Sequence, residues 1–258
     1  MANKAAVPAL EVWDLSFRYG NRPALNRASL SVAPGVVCGL LGPNGSGKTT
    51  LFKCCLNFLR AAEGEVRVDG RPTARLSPAA LARLAAYVPQ EHRQAFPFPV
   101  RDVVRMGCAP HRGGLSDLSG LFGWRARAAQ AARLTEDAMR RVGIAHLADV
   151  PCNQLSGGQS RALMIADIAL ICDSPIVLID EIENAGIDKE RALGLLQKSD
   201  KLVLVVTHDP HTALMARRRI VLAGGAVTAV VERTAGEAAL YEALGRAYRE
   251  QRRYQTQL

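Results

Sequence analysis

Gly42-Pro43-Asn44-Gly45-Ser46-Gly47-Lys48-Thr49 lies between a continuously apolar run at residues 36–41 and a helix-compatible stretch at residues 50–59. The segment fits G-x-x-x-x-G-K-[ST] with a buried strand before it and a helix after it, which is the context that gives the pattern its meaning. Glycines let successive backbone N–H groups turn inward as a nest, and the following helix N-terminus adds partial positive charge, so phosphate oxygens are bound there. In that reading Lys48 reaches the β and γ phosphates of a nucleotide and the Thr49 hydroxyl coordinates Mg²⁺. A glycine turn that binds nothing is the alternative, and the flanks argue against it.

Two further runs, residues 176–179 and 202–206, are also continuously apolar rather than alternating, as expected of strands buried on both faces of a parallel sheet. Each ends abruptly in polar groups: Asp180-Glu181 after the first and Thr207-His208 after the second. Ligands of open parallel sheets bind beyond the carboxyl ends of the strands, so the phosphate loop and these two endings are expected to converge. Asp180 can then hold Mg²⁺, directly or through water, while Glu181 polarises an attacking water and His208 contacts the γ-phosphate or positions that water. Without a phosphate loop, the acid pair would be read as a helix cap; for His208 a core histidine is the alternative.

Around this centre, residues 9–18, 28–32 and 64–69 alternate as strands of an antiparallel layer. Residues 100–141 change character: glycines interrupt the first half, and residues 125–141 are rich in Ala and Arg at helical spacing, which reads as an inserted helical region. The basic tail, residues 241–258, reads as a solvated helix face or a docking element. At 258 residues, with 48% hydrophobic and 22% charged side chains, the chain can bury a sizeable core, which excludes collagen-like, coiled-coil and wholly disordered classes. The formal charge of +9 suits an anionic partner: nucleotide, nucleic acid or an acidic membrane face. No apolar window reaches the roughly eighteen residues of a membrane span, no secretory signal is visible, and a cytosolic location is expected. The six cysteines are scattered without a repeated C-x-x-C spacing, which predicts buried free thiols. His111, near Cys108, reads as a surface-loop residue.

Leu155-Ser156-Gly157-Gly158-Gln159, upstream of Asp180-Glu181, matches the signature of the ATP-binding cassette ATPases, and together with the phosphate loop the chain resembles that family over nearly its whole length. The resemblance implies an α/β P-loop NTPase (RecA-like) core with a mainly parallel sheet, an antiparallel β layer and an inserted helical subdomain. Residues 1–95 and 155–225 would form the nucleotide-binding core, 96–154 the helical subdomain and 226–258 a C-terminal extension. It implies ATP and Mg²⁺ as ligands, with Tyr19 stacking on adenine, residues Gly42 to Thr50 (including Asn44, Gly45 and Ser46) around the phosphates, and Thr49, Gln90 and Asp180 at the metal. Catalysis would fall to Glu181, His208, Gln90 and Lys48. In this family two subunits pack head to tail, so Ser156, Gly157, Gly158 and Gln159 of one would complete the site of the other, and Asp188 would couple the two. A helix start at Ser156 offers a second anion site for the γ-phosphate, and a plain capping turn can coexist with it.

Residues 88–112, with Leu76-Ser77-Pro78 before them, resemble ATP-binding subunits of importers for iron-siderophores, haem and cobalamin. That implies a transmembrane permease, an extracytoplasmic binding protein and a peripheral position on the cytoplasmic membrane face. Three positions depart from the family pattern: Ile182-Glu183-Asn184 where Pro-Thr is usual, only nineteen residues between Asp188 and His208, and Asp167 where the helix after the signature usually carries arginine. Two other readings use the same motifs. A soluble cassette ATPase acting on nucleic acid or the ribosome usually carries two cassettes or a long coiled-coil insertion, which 258 residues do not hold, so nucleic acid is not expected as a partner. A regulatory subunit would close on ATP with negligible turnover.

Overall fold

The computed structural model describes residues 7–90, 97–106, 123–156, 159–160, 163–164, 174–181 and 200–256. Six-stranded and four-stranded sheets form two layers. The larger contains β3 (Val37–Leu41), β6 (Ala85–Val88), β7 (Ile176–Asp180), β8 (Leu202–Val206), β9 (Arg218–Ala223) and β10 (Ala226–Glu232), in the order β10-β9-β3-β8-β7-β6. All neighbours in it are parallel except the β9–β10 hairpin. The smaller is antiparallel, β2 (Arg22–Val32), β1 (Leu10–Tyr19), β4 (Glu63–Val68) and β5 (Arg71–Pro72).

The continuous apolar runs are explained by which side each residue takes. Ile176, Leu178, Leu202, Leu204 and Val206 pack with Leu40, Phe52 and the antiparallel layer's Val12 and Leu15, whereas Val177, Ile179, Val203 and Val205 pack with Val100, Val104, Ala138 and Met139. This period of two puts a core on each face of one sheet. Each fully buried Leu, Ile or Val contributes about 1.5–3 kcal/mol, so the strands that carry the site rest on two buried cores. The second core joins the sheet to α3 (Val100–Met106) and α4 (Gly123–Arg141), the helices expected between residues 100 and 141.

Several boundaries differ from the sequence reading. Helix α1 is Lys48–Cys55 rather than residues 50–59. It stops because Asn57 adopts a left-handed φ of 57°, a conformation asparagine tolerates, with its side-chain amide donating to the Thr73 carbonyl. Strand β2 starts at Arg22 instead of 28: a two-residue turn, Gly20-Asn21, sends the chain back along β1, and Tyr19 pairs with Arg22. Polar residues and Pro23 conceal that half of the strand. β6 follows α2 (Pro78–Leu84) without a break, so its alanines read as more helix. Residues 226–232 form the edge strand of the six-stranded sheet, and the chain then enters α6 (Ala235–Thr256), which starts before the basic tail.

The start of α6 is a reciprocal cap. Glu237 N–H donates to Thr234 Oγ1 at 3.2 Å and Thr234 N–H donates to the Glu237 carboxylate at 2.9 Å. Buried Arg219 on β9 holds both Glu237 oxygens at 2.8 Å, and Tyr241 stacks on His211 of α5 (Pro210–Met215) at 4.8 Å between ring centroids. The first turns of α6 are thus docked on the core, whereas the sequence left docking and a solvated face as alternatives. Cys38, Cys54, Cys55 and Cys152 are buried free thiols, as expected; Cys108, Cys172 and His111 lie outside the described residues.

Candidate nucleotide site

Four neighbouring parallel strands end on the same side of the sheet, and each hands a polar group to one cleft. The phosphate loop follows β3, Gln90 follows β6, Glu181 follows β7 and His208 follows β8. The cleft holds about 660 Å³ and is lined by Tyr19, Arg22, Pro23, Ala24, Asn44, Gly45, Gly47, Lys48, Thr49, Thr50, Gln90, Glu181 and His208. The fourth ending, after β6, was not assigned to a strand from sequence; the other three meet as expected.

Backbone geometry makes the loop. Gly47 caps α1 at φ 105°, and a β-carbon there would sit 2.4 Å from the Ala24 carbonyl oxygen of β2. At Gly42, φ 150°, a β-carbon would come within 2.1 Å of the Leu222 carbonyl oxygen. Both glycines therefore permit a close backbone approach that any side chain would block. The Lys48 ammonium donates to the carbonyls of Gly42 at 2.8 Å and Pro43 at 3.0 Å, which holds it over the loop. Ser46 Oγ is buried without a hydrogen-bond partner and lies behind the cleft lining. Left-handed glycines, an ammonium and a helix start fit a polyphosphate.

Opposite the loop, Gln90 donates its amide to one oxygen of Glu181, and His208 Nε2 lies 3.5 Å from the other. Glu181 has a left-handed φ of 55°, uncommon for a side chain with a β-carbon, and its N–H donates to the Val206 carbonyl at 3.1 Å. This twist turns Glu181 into the cleft while Asp180 stays buried behind it, 1% exposed. Asp180 does not line the cleft; it accepts a hydrogen bond from Tyr87 at 3.2 Å. Burial, then the Asp180 charge and the hydrogen bond itself, hold the Tyr87 hydroxyl well above the ordinary tyrosine range, so it stays a neutral donor. Thr49, Gln90 and Glu181 line the cleft with hard oxygens of the kind Mg²⁺ takes, and Asp180 stands behind Glu181.

Tyr19, about half exposed at the strand end, has its ring at 80° to that of Phe17, 4.9 Å between centroids, and lines the cleft. Ser156 and Gln159 lie outside the cleft. Ser156 N–H donates to Gln159 Oε1 at 2.9 Å and Gln159 N–H to Ser156 Oγ at 3.3 Å, so the signature does cap a helix start. Gly157, Gly158, Asp188, Glu183 and Asp167 are outside the described residues. Sequence reasoning missed Arg22 and Tyr87. The former is betrayed only by its place across a tight turn from Tyr19, the latter by nothing short of the β6–β7 pairing.

A phosphate loop at the end of a central parallel strand, faced by a glutamate and a histidine from adjoining strands, defines a P-loop nucleotide hydrolase. The chain belongs to the ABC transporter family, whose pattern matches residues 25–184, and is an ABC ATPase and transporter ATP-binding subunit. It is 32% identical over 233 residues to the hemin import ATP-binding protein HmuV of Bordetella avium, covering 85% of each chain. With a probable iron chelatin transport ATP-binding protein of Helicobacter pylori it shares 36% identity over 215 residues, 81% of this chain and 80% of that one. Among solved structures, a dimeric ATP-binding cassette in a post-hydrolysis state with ADP and Pi superposes with TM-score 0.73 at 25% identity, over 87% of this chain and 99% of that one. No helix among the described residues is long and apolar enough to cross a membrane.

Proposed function

We propose that two copies of this chain bind two Mg-ATP between them, head to tail, and that closure and hydrolysis drive an attached permease to import a metal chelate such as haem, an iron-siderophore or cobalamin. One observation carries the nucleotide part: four strand ends deliver Lys48, Gln90, Glu181 and His208 to one cleft, while Ser156 and Gln159, which cap each other, stand outside it. A cleft that holds phosphates on one side and is open on the other calls for a second surface to cover the γ-phosphate, and a capped helix start supplies such a surface.

Lys48 and the loop N–H groups hold the phosphates, Tyr19 stacks on the base, and the signature of the second copy, with its Asp188, closes the site. Thr49 and Gln90, with Asp180 behind them, would hold Mg²⁺, which when bound would supply positive charge to the phosphates. Glu181 accepts the proton of the attacking water, with the amide of Gln90 and the ring of His208 fixing its carboxylate. Nucleotide bridges the two surfaces, so its hydrolysis removes the bridge and the pair reopens.

The cargo reading is supported by the names of the relatives, hemin import and iron chelatin transport, and by the resemblance of residues 88–112. A periplasmic or surface binding protein belongs to the same proposal. The test is ATPase activity of the purified chain across protein concentration, beside Lys48→Ala. A rate per subunit that climbs with concentration and vanishes in the variant supports the shared site; a rate independent of concentration contradicts it. Uptake of labelled haem or ferric siderophore in cells lacking the gene, with and without its return, tests the cargo.

A further inference from the structure

We propose that Tyr87 is a positioning residue for the metal end of the nucleotide site, acting through Asp180. The inference rests on the nucleotide reading above. Asp180 is 1% exposed, and among the described residues the hydrogen bond given to its carboxylate comes from the Tyr87 hydroxyl at 3.2 Å. A buried carboxylate with a single neutral donor keeps unused lone pairs, and its orientation is set by that donor.

The donor is itself held in place. Tyr87 lies on β6, in register with Leu178 of β7, two residues before Asp180. Its ring is met edge-on by buried Phe52 of α1 at 6.2 Å and by Phe58 at 6.3 Å between centroids. Phe52 stands on the helix that begins at Lys48, so one aromatic cluster ties the phosphate helix, β6 and the Asp180 carboxylate together. The hydroxyl occupies one oxygen of Asp180 and fixes the plane of the carboxyl group. Asp180 stands behind Glu181 rather than in the cleft lining, so its other oxygen would reach a cation through water, and a carboxyl fixed from behind in this way raises metal affinity.

Tyr87→Phe keeps the ring and removes only the donor. Mn²⁺ serves as the spectroscopic probe in place of Mg²⁺: its binding to the ATP-loaded chain is titrated by electron paramagnetic resonance, and binding of a fluorescent ATP analogue is measured in EDTA. Loss of the hydroxyl is expected to weaken Mn²⁺ binding about tenfold, the effect of losing a partner behind a metal ligand. Nucleotide affinity in EDTA is expected to stay within about twofold, since phosphate contacts are untouched. In an Asp180→Asn background the same change is expected to add nothing, because the two residues act as one unit. Equal Mn²⁺ affinity in wild type and Tyr87→Phe, or additive losses in the double variant, would overturn the proposal. Failure of the wild-type chain to bind the ATP analogue would instead overturn the nucleotide reading.

Discussion

Nε2 of His208 lies 3.5 Å from Oε1 of Glu181, while Gln90 donates to the other oxygen of the same carboxylate. Glu181 is thus gripped from the strand on either side of its own neighbourhood, by β6 through Gln90 and by the end of β8 through His208. The carboxylate is the one acid that the described part of the cleft presents. Glu181→Gln is expected to bind ATP with unchanged affinity and to lose turnover by about 10²–10⁴-fold, the contribution of a positioned general base. Steady-state hydrolysis beside equilibrium nucleotide binding checks this; hydrolysis at the wild-type rate would remove Glu181 from its role.

Tyr19→Ala removes a stacking surface without touching the phosphate contacts. KM for ATP is expected to rise about tenfold, within the range that base stacking on an aromatic ring is worth, with kcat nearly unchanged. Tyr19→Trp, which restores a ring, should recover most of the loss. Equal KM in all three proteins would mean that the base lies elsewhere.

Gly47→Ala tests the close approach of loop and β2. The added carbon would meet Ala24 O at 2.4 Å and also impose a strained φ. The expected result is destabilisation by more than about 1 kcal/mol, together with loss of nucleotide binding, read by chemical denaturation and by titration. Gly45, where a β-carbon meets open space, provides the comparison: the strain of its φ of 78° remains but the clash does not, so Gly45→Ala should be milder.

The docking of α6 depends on pH through Glu237. Its carboxyl is held below the ordinary glutamate value by the Thr234 N–H first and then by Arg219. A lowered folded-state pKa means stability that is fully present above the ordinary value and is lost as pH falls through the lowered one. Acid titration followed by hydrogen exchange should therefore release α6 below the ordinary glutamate range, and Glu237→Gln should abolish that pH dependence while lowering Tm at neutral pH. An unchanged acid limb in the variant would show that other carboxylates govern the release.

The core strands were legible because they are buried on both faces: continuous Val, Ile and Leu leave little room for another reading. The phosphate loop, Glu181 and His208 were legible for a related reason, since polar groups closing such strands have few structural excuses. Arg22 and Tyr87 were not. Half of β2 is polar because its residues at the turn face solvent and the cleft, and β6 is short, alanine-rich and fused to a helix. The hydrogen bond from Tyr87 to Asp180 joins residues far apart in sequence, so only the pairing of β6 with β7 reveals it. The cap on α6 could have been found, because Thr234-x-x-Glu237 before an alanine-rich run is a readable helix start.

The buried thiols give an independent check on the packing. Burial pushes Cys38 up to about 12 and Cys54 up to about 11 and raises Cys55 and Cys152, so none supplies thiolate at neutral pH. Brief alkylation of the native protein at pH 7.5, followed by peptide mapping, should leave these four unmodified and label them only after denaturation. Rapid native labelling of Cys38 or Cys55 would contradict the arrangement of the sheet around β3 and α1.

The shared site is tested most directly by the mass of Glu181→Gln in solution, measured by light scattering with Mg-ATP and with Mg-ADP. The account predicts a dimer with ATP, a monomer with ADP, and no ATP-driven dimer when Ser156→Arg is added, since in the proposed dimer the signature covers the partner's γ-phosphate. A Glu181→Gln chain that binds ATP at saturation yet stays monomeric, or a dimer indifferent to Ser156→Arg, would contradict it.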